Sequence, residues 1–317
     1  MTNRYLPEGM LGATRENREA LASPAAIERA GALGRILEAP VTLCDERMRL
    51  HVDLGCIRGI IEREEAVWCR PGEAIKDIAV ITRVGKPVAF KVLGIEERGG
   101  EPVALLSRRA AQEECAAAFL AYLKPGDLVP ARVTHLEPYG AFVDIGCGIP
   151  SLLSIDCISV SRIAHPRDRL ACGMTLSVAV KSMDSALGRI FVTLKELLGT
   201  WEQNAARFEA GQTVVGRVRS IETYGIFVEL APNLAGLAEL RGSGNTPIRT
   251  AVGDLAAVYI KSILPERMKI KLVIIDSYPA PEPPEPLQYY IDIKDTKHLD
   301  YWEYSPACCT RLIETVF

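Results

Sequence analysis

A chain of 317 residues with 48% hydrophobic and 24% charged side chains has the make-up of a soluble globular protein, with apolar material for several compact cores. A net charge of −3 supplies no global basic field, so any affinity for nucleic acid must come from local arrangement and stacking rather than from tight, non-specific duplex binding. No apolar run reaches the ~20 residues of a membrane helix, and residues 1–22 lack the apolar centre of a secretory signal, so a cytoplasmic protein without a membrane partner is expected.

Residues 1–34 read as an N-terminal helical arm. Ser23 precedes a proline in the first turn, and the alanine-rich stretch from Ala25 to Leu33 ends at Gly34. Residues 35–115 form a first β-rich unit. Ile36 to Cys44 and Met48 to Leu54 alternate as strands, Gly59-Ile60-Ile61 is a short third, and Val88 to Ile95 and Val103 to Leu106 supply two more. An alanine-rich helix from Ser107 to Tyr122 leads onward. Residues 124–200 form a second unit, with strands Leu128 to Leu136 and Ala141 to Ile145 around a Tyr139-Gly140 bend, a short Leu152-Leu153 strand, and closing strands Leu176 to Lys181 and Arg189 to Leu194. After a helical connector from Trp201 to Phe208, residues 209–276 repeat the order and close with Ala257 to Ile263 and Lys269 to Ile275. Five short strands per unit, with a glycine at the first bend, fit a small closed barrel of the OB type. The expected fold is therefore mainly β: three tandem OB-fold barrels joined by short helical linkers. Residues 279–317 read as a proline-rich spacer, Pro279 to Pro286, and a tail. In that tail the alternation from Leu287 to Ile293 predicts a strand, and Ser305-Pro306 predicts the cap of a final helix ending at Phe317.

The second and third units are copies. Tyr139-Gly140-Ala141-Phe142-Val143-Asp144-Ile145 returns as Tyr224-Gly225-Ile226-Phe227-Val228-Glu229-Leu230, and Gly126, Val129, Arg132, Val133 and Glu137 return as Gly211, Val214, Arg217, Val218 and Glu222, always 85 residues later. Only 6% of the chain is aromatic, so two rings at one repeated spot need a reason. Paired rings beside a basic strand are the parts that stack the bases of single-stranded nucleic acid. Arg132, Arg217, Arg219, Lys261, Lys269 and Lys271 are candidate phosphate contacts on that face.

These residues resemble the S-one RNA-binding motif of the bacterial ribosomal protein S-one family. The likeness runs from Gly126 through Tyr139-Gly140-Ala141-Phe142-Val143-Asp144-Ile145-Gly146 to Arg189-Ile190 and Leu194-Lys195, and again over Gly211 to Leu230, Leu234 to Leu240 and Val258 to Leu272, about half the chain. The first unit resembles it only in outline: Ile36 to Leu54 holds no aromatic residue, so this barrel is expected to be degenerate and not to bind RNA. The resemblance implies an RNA face of two aromatics, a histidine, an acidic and a basic residue. Carried onto this sequence, the second unit supplies Tyr139, Phe142, Asp184 and Arg189, with Ser154 in place of the histidine. The third supplies Tyr224, Phe227 and Lys269, with Glu239 in place of the histidine. The function implied is binding of single-stranded RNA, messenger RNA above all, in translation at the small ribosomal subunit. The alternatives are a ribosome-independent RNA chaperone or regulator of mRNA turnover, and a protein-binding scaffold.

No phosphate loop, His-Glu-x-x-His or Gly-x-Ser-x-Gly elbow is present, so no catalytic residue, cofactor or enzymatic activity is assigned. Nine cysteines (Cys44, Cys56, Cys69, Cys115, Cys147, Cys157, Cys172, Cys308 and Cys309), odd in number and without a Cys-x-x-Cys, read as reduced thiols, and no metal site is expected. The tail aromatics Tyr289, Tyr290, Tyr301, Trp302 and Tyr304 read as a segment folded back on the third barrel.

Overall fold

The computed structural model describes residues 4–69, 74–184, 188–239, 249–279 and 286–317. The interior of the proline-rich spacer, residues 280–285, lies outside the described residues. Contacts divide the chain into two compact units. One comprises Met1–Leu123 with Pro130–Arg132 and Asp144–Pro150; the other comprises Lys124–Val129, Val133–Val143 and Ser151–Phe317.

The first unit opens with helices α1 (Arg15–Ala20) and α2 (Pro24–Ala32). Only α2 was expected. Helix α1 has six residues and no apolar stripe that a sequence could show. Its anchorage is tertiary: the Asn17 amide donates to Glu38 O at 2.8 Å and accepts from Glu38 N at 2.9 Å. Strands β1 (Leu37–Cys44), β2 (Leu50–Asp53), β3 (Arg58–Ile61), β4 (Pro87–Arg98) and β5 (Glu101–Ser107) close a barrel in the order β1-β2-β3-β5-β4. Helix α3 (Asp77–Ile81) precedes β4, and α4 (Arg108–Ala118) follows β5, its first turn capped by the Ser107 hydroxyl. Leu37, Val41, Leu50, Val52, Ile61, Phe90 and Leu106 fill the interior, the inward half of each alternating strand.

The second barrel is built from β6 (Leu128–Glu137), β7 (Gly140–Asp144), β8 (Pro150–Ser154), β9 (Thr175–Asp184) and β10 (Arg189–Thr193). A capping box at Thr200 and Gln203 starts the connector helix α5 (Trp201–Ala205). The third barrel then follows as β11 (Thr213–Glu222), β12 (Gly225–Ala231), β13 (Leu234–Ala238), β14 (Leu255–Leu264) and β15 (Lys269–Tyr278). All three barrels close alike: the third strand pairs parallel with the last, at Gly59 and Ala104, Leu152 and Phe191, and Leu237 and Lys271.

The tail departs from expectation in two places. No helix ends the chain. Ser305 Oγ accepts from Ile313 N at 2.8 Å, closing a loop rather than capping a helix. The β-branched run beyond it forms β17 (Glu314–Val316), antiparallel to β16 (Tyr301–Glu303). Residues 287–293 form no strand either. Their alternation records burial without a ladder: Tyr289, Ile291 and Ile293 pack against Leu128, Ala179 and Leu197. Trp302 and Tyr304 enter the core of the third barrel beside Trp201 and Leu234, so the tail does fold back, on second-barrel residues as well as third. Asn233 ties these parts together. Its amide accepts from Val160 N at 2.9 Å and donates to Lys195 O at 2.7 Å and Gly199 O at 2.8 Å, while its carbonyl accepts from the Tyr304 hydroxyl.

Candidate nucleic-acid interface

The two rings of each copy adopt the same geometry. Tyr139 and Phe142 meet edge to face, centroids 6.3 Å apart at 88°; Tyr224 and Phe227 do the same at 6.1 Å and 88°. Both tyrosines are exposed, at 56% and 66%, and both phenylalanines are half-buried. A ring that belonged to the core would sit with Ala141 and Val143, or with Ile226 and Val228, which are 0–2% exposed on the opposite parity of the same strands. The bend that presents the rings depends on glycine. A Cβ on Gly140 would stand 2.5 Å from Leu153 O and 3.0 Å from Ser154 Cα, and one on Gly225 would stand 2.7 Å from Ala238 O. Close approach of the next strand therefore brings Ser154 against the Tyr139 bend, and Ile155 N donates to Tyr139 O at 3.0 Å.

In the last hairpin of each barrel, Arg189 is the cross-strand partner of Asp184, and Lys269 that of Leu264. Arg189 and Lys269 are exposed. Glu239, at the third barrel's histidine position, lies 3.8 Å from Lys261. Arg217 donates to Gly253 O at 3.0 Å. Arg132 belongs to the other unit, where its guanidinium donates to Glu8 O at 3.2 Å. One ring went unread in the sequence: half-buried Phe191 lies two residues beyond Arg189 on β10, and that period-two spacing was its only signal. Arg169 also went unread. It is 5% exposed and pairs with both oxygens of Glu229 at 2.7 and 2.8 Å.

The first barrel puts different chemistry at the corresponding hairpin. Between β1 and β2, Asp45 accepts from Arg49 Nε at 2.8 Å and lies 3.0 Å from His51 Nε2. Partial burial opposes ionisation of this carboxyl, yet the His51 contact and the N–H groups of Arg47 and Arg49 hold it well below the usual carboxylate range. An ion-paired turn thus occupies the place where the other barrels carry rings. Among the described residues, no group of three or more His, Cys, Asp or Glu side chains is arranged to hold a metal ion, and no helix is long and apolar enough to cross a membrane.

A family model described as the S1 RNA binding domain, which is the S-one motif named above, matches residues 122–195. The chain is similar to small ribosomal subunit protein bS1 of Leuconostoc lactis, 31% identical over 190 residues, which covers 56% of this chain and 44% of that protein. It is likewise similar to bS1 of Pseudomonas aeruginosa, 34% identical over 201 residues, 60% of this chain and 35% of that protein. A crystal structure of an a/eIF2alpha–aDim2p–rRNA complex from Pyrococcus horikoshii OT3 aligns at 26% identity over 27% of this chain and 51% of that chain, with a TM-score of 0.24. The chain spans less than half the length of these two bS1 relatives. The resemblance read from the repeated motif therefore holds, and the tandem five-stranded barrels agree with it.

Proposed function

We propose that the second and third barrels bind single-stranded RNA, messenger RNA in the first place, and that the chain acts in translation at the small ribosomal subunit in the cytoplasm without enzymatic activity. The observation that carries this reading is the duplicated ring pair: two edge-to-face pairs of matching geometry, each with an exposed tyrosine, on barrels of the same topology. Aromatic faces accept any base, which suits unstructured RNA of mixed sequence. Tyr139, Phe142, Ser154, Asp184 and Arg189 form the face of one barrel; Tyr224, Phe227, Lys269 and Arg217 serve the other. The first barrel, with its ion-paired hairpin, contributes no stacking.

Titration of the full chain with a fluorescent oligouridylate, against the same oligonucleotide annealed to its complement, tests the binding. Single-strand preference is expected, and it should vanish when Tyr139, Phe142, Tyr224 and Phe227 are all alanine. Equal binding of duplex, or binding unmoved by those substitutions, would refute the assignment. Co-sedimentation with small subunits and polysomes tests the site of action; recovery only in the light fractions would favour a role away from the ribosome.

A further inference from the structure

A cleft of about 650 Å³ opens on the third barrel and is lined by five arginines: Arg167, Arg169, Arg207, Arg217 and Arg219. Three carboxylates line it too, but each is committed. Glu229 takes both oxygens to Arg169, at 2.7 and 2.8 Å, and both to Arg219, at 2.9 and 3.0 Å. Asp168 accepts from the N–H groups of Ala164 and His165, and Asp254 from that of Ala251. One carboxylate between two guanidinium groups leaves a positive excess at the floor of the cleft. Arg169 is 5% exposed, and its buried Nε has no hydrogen-bond partner among the described residues. At the rim, Arg167 and Arg207 are exposed and have no ion-pair partner among the described residues; Arg207 lies 5.7 Å over the Phe208 ring.

The position of this cleft relative to the rings follows from strand geometry. Phe227 and Glu229 are two residues apart on β12, so their side chains share one face and sit about 7 Å apart along the strand. Across the hairpin, Ser220 pairs with Phe227 and Arg217 with Glu229, with Arg219 in the irregularity between them. The guanidinium cluster thus begins one pleat away from the stacking ring. Guanidinium forks suit phosphodiester oxygens, which they hold through paired charge-assisted hydrogen bonds.

We infer that this cleft is a phosphate-binding subsite that takes the sugar–phosphate backbone of the RNA stacked on Tyr224 and Phe227. The inference rests on the RNA-binding reading above and extends the interface from the ring face onto the arginines of β11, of the turn before Arg169 and of the turn after α5. Arg167 and Arg207 contact the phosphates; Arg169 and Arg219, fixed on Glu229, supply the field behind them.

The test uses the full chain and a fluorescent oligouridylate across a range of salt. The double variant Arg167→Gln/Arg207→Gln removes two exposed rim charges that have no ion-pair partner among the described residues, and its melting transition is compared with the parent's to account for the loss of the Arg207 contact with the Phe208 ring. Its affinity should fall about tenfold at moderate salt, and its log–log salt slope should become shallower by about 1.4, at ~0.7 per single-strand phosphate. Phe227→Ala should weaken binding with the slope unchanged. An oligonucleotide with the sugar–phosphate chain but no bases should compete against the parent and against Phe227→Ala, and lose that competition in the double variant. If the double variant keeps the parent's affinity and slope while Phe227→Ala weakens binding, the cleft is no subsite and the stacking reading stands. If neither substitution changes binding, the RNA reading itself fails, and the subsite with it.

Discussion

Two places after its second ring, the second barrel carries Asp144 and the third carries Glu229, and the two carboxylates are handled differently. Asp144 is 2% exposed and meets backbone: its oxygens accept from Glu8 N at 2.6 Å, Gly146 N at 2.8 Å and Gly148 N at 3.0 Å. The N-terminal segment is held there in turn. Arg108 grips the Glu8 carboxylate at 2.7 and 3.0 Å, and Arg132 donates to the Glu8 carbonyl. Glu229 meets side chains instead, Arg169 and Arg219. The repeat explains the divergence. Arg132 and Arg217 are mates across the two copies, but Thr134 stands where the third barrel has Arg219, and residues 5–9, whose Glu8 N–H meets Asp144, have no counterpart in the repeat. An identical position in a duplicated strand therefore acquires its role from what its flanks supply. In one barrel a carboxylate fastens the arm; in the other it organises a basic cleft beside a ring.

The harshest way to break the comparison is to remove the third barrel's carboxylate. Glu229→Ala leaves the buried Arg169 guanidinium without its counter-charge, which typically costs about 3–5 kcal/mol. Denaturant unfolding should show this loss in the transition of the second and third barrels. A loss below about 1 kcal/mol would mean that water reaches Arg169 freely and that the pair is not the organising contact.

The second barrel offers a pH handle that the third lacks. Burial, with the Glu8 carboxylate nearby, pushes the Asp144 carboxyl up to about 7, whereas Arg169 and Arg219, working against burial, hold Glu229 below the ordinary range. A carboxyl whose folded pKa is raised stabilises the fold below its unfolded pKa, and that stabilisation drains away as pH rises toward the folded value. Arg108 and Arg83 face the same cluster and keep their charge throughout, while Glu38, also raised by burial, adds in the same direction. The unfolding free energy of the first unit should therefore fall by about 2–4 kcal/mol between pH 4 and pH 7. Asp144→Asn should flatten most of that dependence. A parent profile as flat as the variant's would show that Asp144 ionises normally.

Much of this arrangement was legible in the sequence, and the limits have physical causes. The strands and both ring pairs were readable because period-two alternation and the glycines of the two bends are local signals. Helix α1 was not, because a six-residue segment held by Asn17 against Glu38 encodes its stability 21 residues away. The final helix failed because Ser305-Pro306 is a genuine cap signal overridden by the β-branched residues that pair with Tyr301–Glu303. Arg169 escaped because its partner lies 60 residues along the chain, in the next barrel, beyond the reach of any motif. Ring positions could be carried from copy to copy; the charges around them could not, since neither the arm nor the turn before Arg169 is repeated.

The ring pairs themselves sharpen the comparison at a smaller scale. Phe142→Ala and Phe227→Ala should each cost about 1–3 kcal/mol of binding to single-stranded RNA, the range for one stacked base. Each should leave the melting transition nearly in place, because both rings lie on the outer parity of their strands. The two losses need not be equal. Phe227 has the arginine cleft beside it to retain the backbone, so its loss should be the milder. A large fall in stability from either substitution would show the ring to be core.

The smallest effect concerns the exposed cations of the last hairpins, Arg189 and Lys269. Arg189 lies across from Asp184, which lowers its net attraction for phosphate, while Lys269 lies across from Leu264. Exposed charge contacts are worth roughly 0.2–1 kcal/mol, so Arg189→Ala and Lys269→Ala should weaken RNA binding only a few-fold. Their signature is the salt dependence rather than the affinity. If the two barrels together neutralise about 3–5 phosphates, the parent's log–log slope should be roughly −2 to −3.5, and a cation that touches a phosphate should remove about 0.7 of it. Lys269→Ala should show that change in full and Arg189→Ala less of it. Lys195→Ala is the internal control: it sits in the turn after β10, where its carbonyl accepts from Asn233, and it should leave the slope unchanged. A slope near zero for the parent would mean that phosphates are not contacted at all, and the barrels would then be better read as a protein-binding scaffold.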